Sequence, residues 1–205
     1  MIRLVSITPN AEKTIAYCAR VSNPNNQENE SYKSLLKYCV RHSHWSVFEQ
    51  ASATIEITTS RTIARQLLRH RSFCFQEFSQ RYACVPNTPL FFKARSPDPN
   101  NRQNSLDNVN EFTSKWFEFE QKKVWNTAYD SYLKAISRGI AKEQARAILP
   151  EGMTPTTLYM TGNMRSWLHF CQVRTASGSQ KEIEILANEI KSLLKNECPT
   201  IYSLV

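Results

Sequence analysis

The residues best suited to chemistry lie in one stretch, from Arg61 to Tyr82. It contains the triplet Arg69, His70 and Arg71, and further on Glu77, Ser79 and Arg81. Guanidinium groups donate two parallel hydrogen bonds and therefore suit phosphate and carboxylate. A carboxylate and guanidinium groups on one strand face need partners if they are buried. The stretch predicts a site for an anionic ligand such as a nucleotide; the alternative is an exposed basic helix that runs into a charged edge strand.

Two elements must position these side chains. The spacing of Ile63, Ala64, Leu67 and Leu68 predicts a helix with one buried stripe, and Thr59 or Ser60 is its expected N-cap. Arginines spaced four apart, at positions 61, 65 and 69, would share another face of that helix. The following FQEFSQRY segment, residues 75–82, predicts a strand with Glu77, Ser79 and Arg81 on one side.

The triplet, seven further residues and a serine, read as RHRSFCFQEFS, resemble the signature of the flavin-dependent thymidylate synthases. The resemblance covers most of the chain and is weakest across residues 86–108. Four other stretches are similar to the same family: ARVS at 19–22, HSHWSVFE at 42–49, ARAILP at 145–150 and NMRSWLHFCQVR at 163–174.

This resemblance implies the reductive methylation of dUMP to dTMP. It implies 5,10-methylenetetrahydrofolate as carbon donor, and FAD reduced by NADPH as hydride source. It also implies a homotetramer with sites between subunits, in which Arg174 is catalytic and faces the uracil ring. The implied dUMP-binding residues are Gln66, Arg69, Glu77, Phe78, Ser79, Gln80, Arg81, Arg146 and Arg174. The implied FAD-binding residues are His44, Ser46, Arg69, His70, Arg71, Glu77, Asn163, Met164, Arg165 and His169, with Glu49 in support.

Several of these residues have an ordinary alternative. Without the resemblance, His44 is a loop histidine and Arg146 a surface helix arginine. Ser79 either hydrogen-bonds the nucleotide or acts as a nucleophile, for which Glu77 is the one base on its predicted strand face. A metal is not expected, because His42 and His44 have no nearby Cys, Asp or Glu cluster to complete a tetrahedral site.

The remaining elements predict one α/β (α+β) domain over residues 1–205, with a mixed or antiparallel sheet packed against helices. Alternation predicts strands at 3–8, 50–58 and 154–161, and helical spacing predicts helices at 11–21, 30–42, 141–149 and 163–177. A long helix or bent pair is expected over 109–138, with an aromatic stripe that belongs to the core or to a subunit interface. Residues 86–108 form an irregular connector. Ser179 and Glu182 form a predicted capping box for the last helix.

Composition limits the function classes. Lys and Arg number 26 against 18 Asp and Glu, which gives a net charge of +8 and suits nucleic acid, a membrane surface or phosphate-bearing ligands. No like-charged run, apolar span or signal peptide is evident, and six cysteines without metal spacing favour a reduced, cytoplasmic setting, in a cell or an infected host cell.

The rival hypothesis is a nucleic-acid-binding module with a basic face over 61–71 and stacking rings at Phe73, Phe75 and Tyr82. A third is a nucleotide-binding relic without turnover.

Overall fold

A computed structural model describes residues 1–203 of the chain. Six strands are present in this part: β1 Ile2–Ile7, β2 Ser52–Ser60, β3 Cys74–Glu77, β4 Ser96–Pro97, β5 Ser105–Leu106 and β6 Pro155–Asn163. The helices are α1 Ala11–Ala19, α2 Lys33–Arg41, α3 Arg61–Leu67, α4 Glu111–Ser137, α5 Lys142–Ala145, α6 Met164–Arg174, α7 Lys181–Glu197 and α8 Pro199–Tyr202. Short 3-10 turns occupy Pro24–Asn26, Trp45–Gln50 and Arg146–Ile148.

The main sheet has four strands in the order β1-β2-β6-β3. β1 runs antiparallel to β2, with Ile2 opposite Ile57 and Leu4 opposite Ile55. Inward-facing residues of β2 alternate with more exposed ones because successive side chains of a strand point to opposite faces. The predicted α/β fold class, with helices packed on an antiparallel sheet, is confirmed.

The chain divides into two compact units. The first contains Met1, Thr58–Arg69 and Gln76–Leu158. The second contains Ile2–Ile57, His70–Phe75 and a third segment that begins at Tyr159. Strands β2, β3 and β6 each contribute residues to both units. The expectation of a single domain over residues 1–205 stays a prediction.

The core of the first unit lies beneath α4. Its buried members are Val85, Trp125, Tyr132, Ala135, Ala145, Leu149 and Met153. The connector of residues 86–108 is fastened to this helix: the Gln121 side chain donates to the Phe92 carbonyl at 2.9 Å and accepts from the Phe92 N–H at 2.8 Å. The Trp125 indole N–H donates to Asn87 Oδ1 at 2.8 Å. These bonds satisfy backbone and side-chain groups that an irregular segment would otherwise leave unpaired.

The predicted aromatic stripe of α4 is exposed in the N-terminal half of the helix. Phe112, Trp116 and Phe119 are 83%, 55% and 61% exposed. The buried positions lie towards the other end of the helix, where Tyr132 and Ala135 enter the core. The helix is one continuous element and not a bent pair.

The core of the second unit is built from α1, α2, α6, α7 and β2. Its fully buried side chains include Ile15, Leu36, Phe48, Ile55, Trp167 and Ile190. The predicted capping box of the last helix is wrong: Gln180 is the N-cap of α7 and makes no side-chain cap hydrogen bond, while Ser179 Oγ donates to the Val173 carbonyl. The preceding turn at Gly178, with φ of 95°, directs this serine back towards α6. Within residues 1–203, no helix combines the length and apolarity needed to cross a membrane.

A buried carboxylate fastens the last helix of the second unit. Glu12, on α1, is 6% exposed, and its Oε1 accepts from the N–H groups of Thr200 and Ile201 at 2.7 and 2.9 Å. These N–H groups belong to the first turn of α8 and have no acceptor within the helix. The carboxylate therefore satisfies two backbone donors that would otherwise be buried unpaired.

Replacement of Glu12 with Ala should lower the free energy of unfolding by about 2 kcal/mol, because two buried backbone donors lose their acceptor. Glu12→Gln keeps an oxygen at the same place and should cost less. Urea denaturation followed by circular dichroism measures both, with Glu28→Ala, an exposed acid, as a control within about 0.5 kcal/mol of wild type. A Glu12→Ala variant as stable as wild type would contradict this account.

Candidate active site

The first unit contains a cleft of about 320 Å³ between α3, α5 and the start of β6. Its lining is mostly charged and polar: Arg61, Arg65, Gln80, Glu143, Arg146, Ala147, Leu149, Glu151 and Thr154. Three arginines around so small a volume favour an anionic group as the ligand.

Gln80 enters this cleft because β3 ends early. The strand stops at Glu77, and Ser79 to Tyr82 form a turn in which the Tyr82 N–H donates to the Ser79 carbonyl at 3.2 Å. The predicted strand face of Glu77, Ser79 and Arg81 is therefore wrong. The turn buries Gln80 to 4% exposure, and its Nε2 has no hydrogen-bond partner within residues 1–203. An unpaired buried amide is costly, so this donor points to a ligand.

Glu77 is fixed by two neighbours in the same unit. Its Oε1 accepts from Thr156 Oγ1 at 2.8 Å and from Arg61 Nη1 at 3.3 Å. Thr156 is buried, and the side chains of Arg61 and Glu77 are each 20% exposed. The carboxylate therefore links α3, β3 and β6 within the first unit.

The other arginines of this region are also paired with glutamates. Arg65 Nη2 lies 2.6 Å from Glu151 Oε2, and Arg61 Nε lies 3.7 Å from Glu151 Oε1. Arg81, which is exposed, pairs with Glu143 at 3.1 Å. The predicted shared face of Arg61 and Arg65 is thus confirmed, while Arg69 lies beyond the end of α3.

Arg146 is the exception among the cleft arginines. It stands at the junction of α5 and the following 3-10 turn, and its Nε donates to the backbone carbonyl of Glu143 at 3.2 Å. Within residues 1–203 it makes no ion pair with a carboxylate. Its guanidinium is therefore available to an incoming anion.

The remaining residues predicted to bind dUMP in this unit lie around the same turn. The Phe78 N–H donates to the Thr157 carbonyl at 2.9 Å, which continues the sheet one residue past β3. Ser79 is half-buried beside it, and Gln66 is half-buried on α3. Arg69 is exposed.

The second unit contains a separate cleft of about 520 Å³. It is lined by Trp45, Glu49, Ser72, Asn163, Arg165, Ser166, Leu168, His169 and Gln172. The start of α6 supplies most of these residues. Apolar side chains, Trp45 and Leu168, together with several hydrogen-bonding groups are typical of small-molecule and cofactor sites.

A helix cap and a few side-chain contacts position the polar residues of this second cleft. Asn163 Oδ1 accepts from the Ser166 N–H at 2.9 Å and so caps α6, at the position where the sequence predicts that this helix begins. Ser166 Oγ donates to the Ser72 carbonyl at 3.3 Å. Arg165, half-exposed, is ion-paired with Glu49 at the rim. His169 and Arg165 lie on one line of the helix, as expected from their spacing.

His70 and Arg174 meet within the second unit. Arg174 Nε donates to His70 Nε2 at 2.8 Å, so this histidine nitrogen is an acceptor and unprotonated. Burial, followed by the nearby charges of Arg174 and His169, lowers the pKa of His70 to about 4. The ring is therefore neutral at physiological pH and orients Arg174 without repelling it.

Aromatic packing holds the His70 ring in place. Its edge contacts Phe170 at a centroid distance of 5.0 Å, and Phe73 lies 4.6 Å from Trp167 in the same cluster. A Cβ at Gly162 would lie 2.4 Å from Phe73 Cδ1, so only glycine leaves room for this ring. Phe73 is buried and offers no exposed stacking surface.

Five residues predicted to bind FAD lie in the second unit but outside this cleft's lining, and His70 is one of them. His44 is exposed, with its ring centroid 5.5 Å from that of Tyr38, and Ser46 and Arg71 are exposed too. Met164 is fully buried, and its N–H donates to the Ala51 carbonyl at 2.8 Å. Their roles stay predictions.

Residues that were not among the predicted dUMP- or FAD-binding residues complete both clefts. They are Arg61, Arg65, Glu143, Glu151 and Thr154 in the first unit, and Trp45, Ser72, Ser166 and Gln172 in the second. The spacing of Arg61 and Arg65 was a usable signal. The glutamates gave none, because their partners are distant in sequence.

Comparison with known proteins identifies the family. The family model described as thymidylate synthase complementing protein matches residues 3–200. A probable flavin-dependent thymidylate synthase of Paramecium bursaria Chlorella virus 1 is 52% identical over 97% of this chain and 95% of its own length. The chain belongs to the flavin-dependent thymidylate synthase family. Another relative, the flavin-dependent thymidylate synthase of Synechocystis sp., is 50% identical over 93% of this chain and 87% of its own length.

A solved structure supports the fold of this family member. The UMP/dUMP methylase PolB from Streptomyces cacaoi, crystallised with 5-Br dUMP, superposes with a TM-score of 0.88 at 26% identity. The match covers 99% of this chain and 93% of PolB.

The low pKa of His70 predicts a pH-dependent stability. Between about pH 6.5 and pH 4 the unfolded chain binds a proton at His70 that the folded chain does not, so stability falls as the pH falls through this window. The loss should approach about 1 kcal/mol per pH unit. Urea titrations at pH 7 and pH 4.5 measure it, and His70→Gln, which keeps an acceptor for Arg174, should show a smaller difference. Equal differences in both proteins would contradict the assignment.

Proposed function

We propose that this chain catalyses the reductive methylation of dUMP to dTMP. Methylenetetrahydrofolate is the carbon donor, and FAD reduced by NADPH supplies the hydride. Family membership establishes the flavin-dependent class of enzyme. The observation that carries the substrate is the buried, unpartnered amide of Gln80 in an arginine-lined cleft.

The nucleotide's phosphate belongs in the cleft of the first unit. Arg146 offers a guanidinium without a carboxylate partner, and Gln80 Nε2 offers a buried donor. Charge-assisted hydrogen bonds from such donors are short and strong. Glu77, held by Arg61 and Thr156, presents a fixed acceptor in the same unit.

The donor set of the second cleft fits a flavin. Trp45 and Leu168 provide apolar surface for a ring face, while Ser72, Arg165 and His169 provide groups for its polar edge. Asn163 fixes the helix end from which Arg165 projects. We assign flavin binding to this cleft.

Arg174 is the proposed catalytic residue. A fixed cation beside the uracil ring would stabilise negative charge that develops on its N3–O side during activation. The neutral ring of His70 accepts from Arg174 Nε and so fixes the guanidinium without competing for its charge. Ser79 is proposed to hydrogen-bond the nucleotide; its turn position no longer places it on a strand face with Glu77.

Assembly and location are also proposals. Exposed Phe112, Trp116 and Phe119 lie on one side of α4 and support a subunit interface, as in the homotetramer that the resemblance implies. All six cysteines are free thiols, which supports a reducing, cytoplasmic setting in a cell or infected host cell.

The rival nucleic-acid module is disfavoured by two features. Phe73 lies in the core, and both Arg61 and Arg65 are ion-paired with glutamates, so the basic helix face is largely neutralised. Family membership also points to an enzyme.

The purified protein should show an oxidised flavin absorbance spectrum, or acquire one when FAD is added. Anaerobic NADPH with dUMP should bleach it, and methylenetetrahydrofolate should then yield dTMP, detected by chromatography. A colourless protein that fails to take up FAD would overturn the proposed function. A protein that binds flavin but makes no dTMP would restrict it to cofactor binding.

Arg174→Ala should lower the rate of dTMP formation by about a hundredfold or more, because a fixed positive charge beside the developing anion is lost. The spectrum of bound flavin should not change. Arg138→Ala, at the exposed end of α4, is the matched control and should keep wild-type turnover. Loss of flavin from Arg174→Ala would show that this arginine holds the cofactor instead.

A further inference from the structure

The arginine-lined cleft of the first unit also contains carboxylates, which an anion site does not require. Its walls include Glu143 and Glu151, whose side chains are 46% and 40% exposed. Together with their partners and Glu77, the region contains four arginines and three glutamates: Arg61, Arg65, Arg81, Arg146, Glu77, Glu143 and Glu151. The set carries a single net positive charge.

Both glutamates form ion pairs with arginines. Glu151 contacts both Arg65 and Arg61, and Glu143 contacts Arg81. Three arginines are therefore neutralised before any ligand arrives. In the part of the chain that the structure describes, the Arg146 guanidinium has no carboxylate partner and the buried Gln80 amide has no hydrogen-bond partner, so both can donate to an anion.

Among the described residues of the cleft, one guanidinium without a carboxylate partner and one unpartnered amide remain, and together they can donate to the oxygens of one phosphate group. A second or third phosphate would have to lie beside carboxylates that already hold the remaining arginines.

We propose that Glu143 and Glu151 restrict this cleft to a single phosphate group, so that it selects nucleoside monophosphates over di- and triphosphates. The inference rests on the proposed function for the identity of the nucleoside, dUMP, but not for the phosphate selection. It assigns the two glutamates as specificity-determining residues for the same site.

The physical reason is that the electrostatic repulsion between the ligand and the two glutamate carboxylates grows with the negative charge of the ligand. A phosphate monoester carries about −1.5 to −2 at pH 7. Each additional phosphate adds about one negative charge, and each charge interacts with the fixed carboxylates. Binding energy discriminates between competing ligands through such repulsion as well as through attraction.

The test compares dUMP, dUDP and dUTP by isothermal titration calorimetry at low, constant ionic strength without divalent cations. Orthophosphate, pyrophosphate and tripolyphosphate are titrated in parallel, because they probe the phosphate selection without the nucleoside. Wild type should bind dUMP more tightly than dUTP, and orthophosphate more tightly than tripolyphosphate.

Glu151→Gln keeps an oxygen for Arg65 and removes the charge. The affinity ratio of dUTP to dUMP should rise by about tenfold, as expected when two extra charges no longer face the carboxylate at high effective dielectric. Glu143→Gln should act in the same direction. Glu118→Gln is the matched control, since it removes the same charge from the exposed i, i+4 pair with Lys122 on α4 and should leave the ratio unchanged.

The outcomes separate the two proposals. If dUMP binds but neither glutamine variant changes the ratio, or wild type binds dUTP as tightly as dUMP, the selection by Glu143 and Glu151 is wrong and the proposed function stands. If the inorganic series follows the expected order and responds to Glu151→Gln while dUMP does not bind, the selection holds and the assigned nucleotide is wrong. A protein that binds none of the six probes would overturn both.

Discussion

The carboxylate of Glu77 is the contact on which the first unit's cleft depends. By accepting from Arg61 and Thr156, it joins a helix and two strands at the point where β3 ends. The chain must turn immediately afterwards, and this turn carries Gln80 into the cleft and leaves Arg81 at the surface. Loss of Glu77 would leave the buried Thr156 hydroxyl without this acceptor, whereas Arg61 would keep its contact with Glu151.

Local patterns were the part of the fold that the sequence predicted well. Ser60, one of the two expected N-caps, caps α3 through a contact three residues away, so this geometry is encoded in a few neighbouring positions. The alternation of β2 likewise follows from which face meets the core. The triplet at residues 69–71 led to the family, and the placement of Gln80 and Arg146 on one cleft agrees with their expected shared ligand.

The sequence-based predictions failed where contacts between residues far apart in the sequence determine the structure. Alternation in residues 75–82 continued past Glu77, but the chain leaves the sheet there and periodicity alone gave no sign of it. Ser179 and Glu182 had the spacing of a capping box, yet the serine bonds back to Val173. Glu151 meets Arg65 across 86 positions, a pairing that no short window contains.

The fastening of the connector has a practical consequence. Residues up to Phe92 are tied to α4. Within residues 1–203, β4 and β5 pair only with each other, as a small ribbon that begins at Ser96 and ends at Leu106. The tip between them is held by Asp98, which accepts from the N–H groups of Asn100 and Asn101 within the same loop. Lengthening such a self-contained tip adds little closure entropy and leaves the core bonds intact. It is therefore a suitable point for an inserted epitope or fluorophore tag.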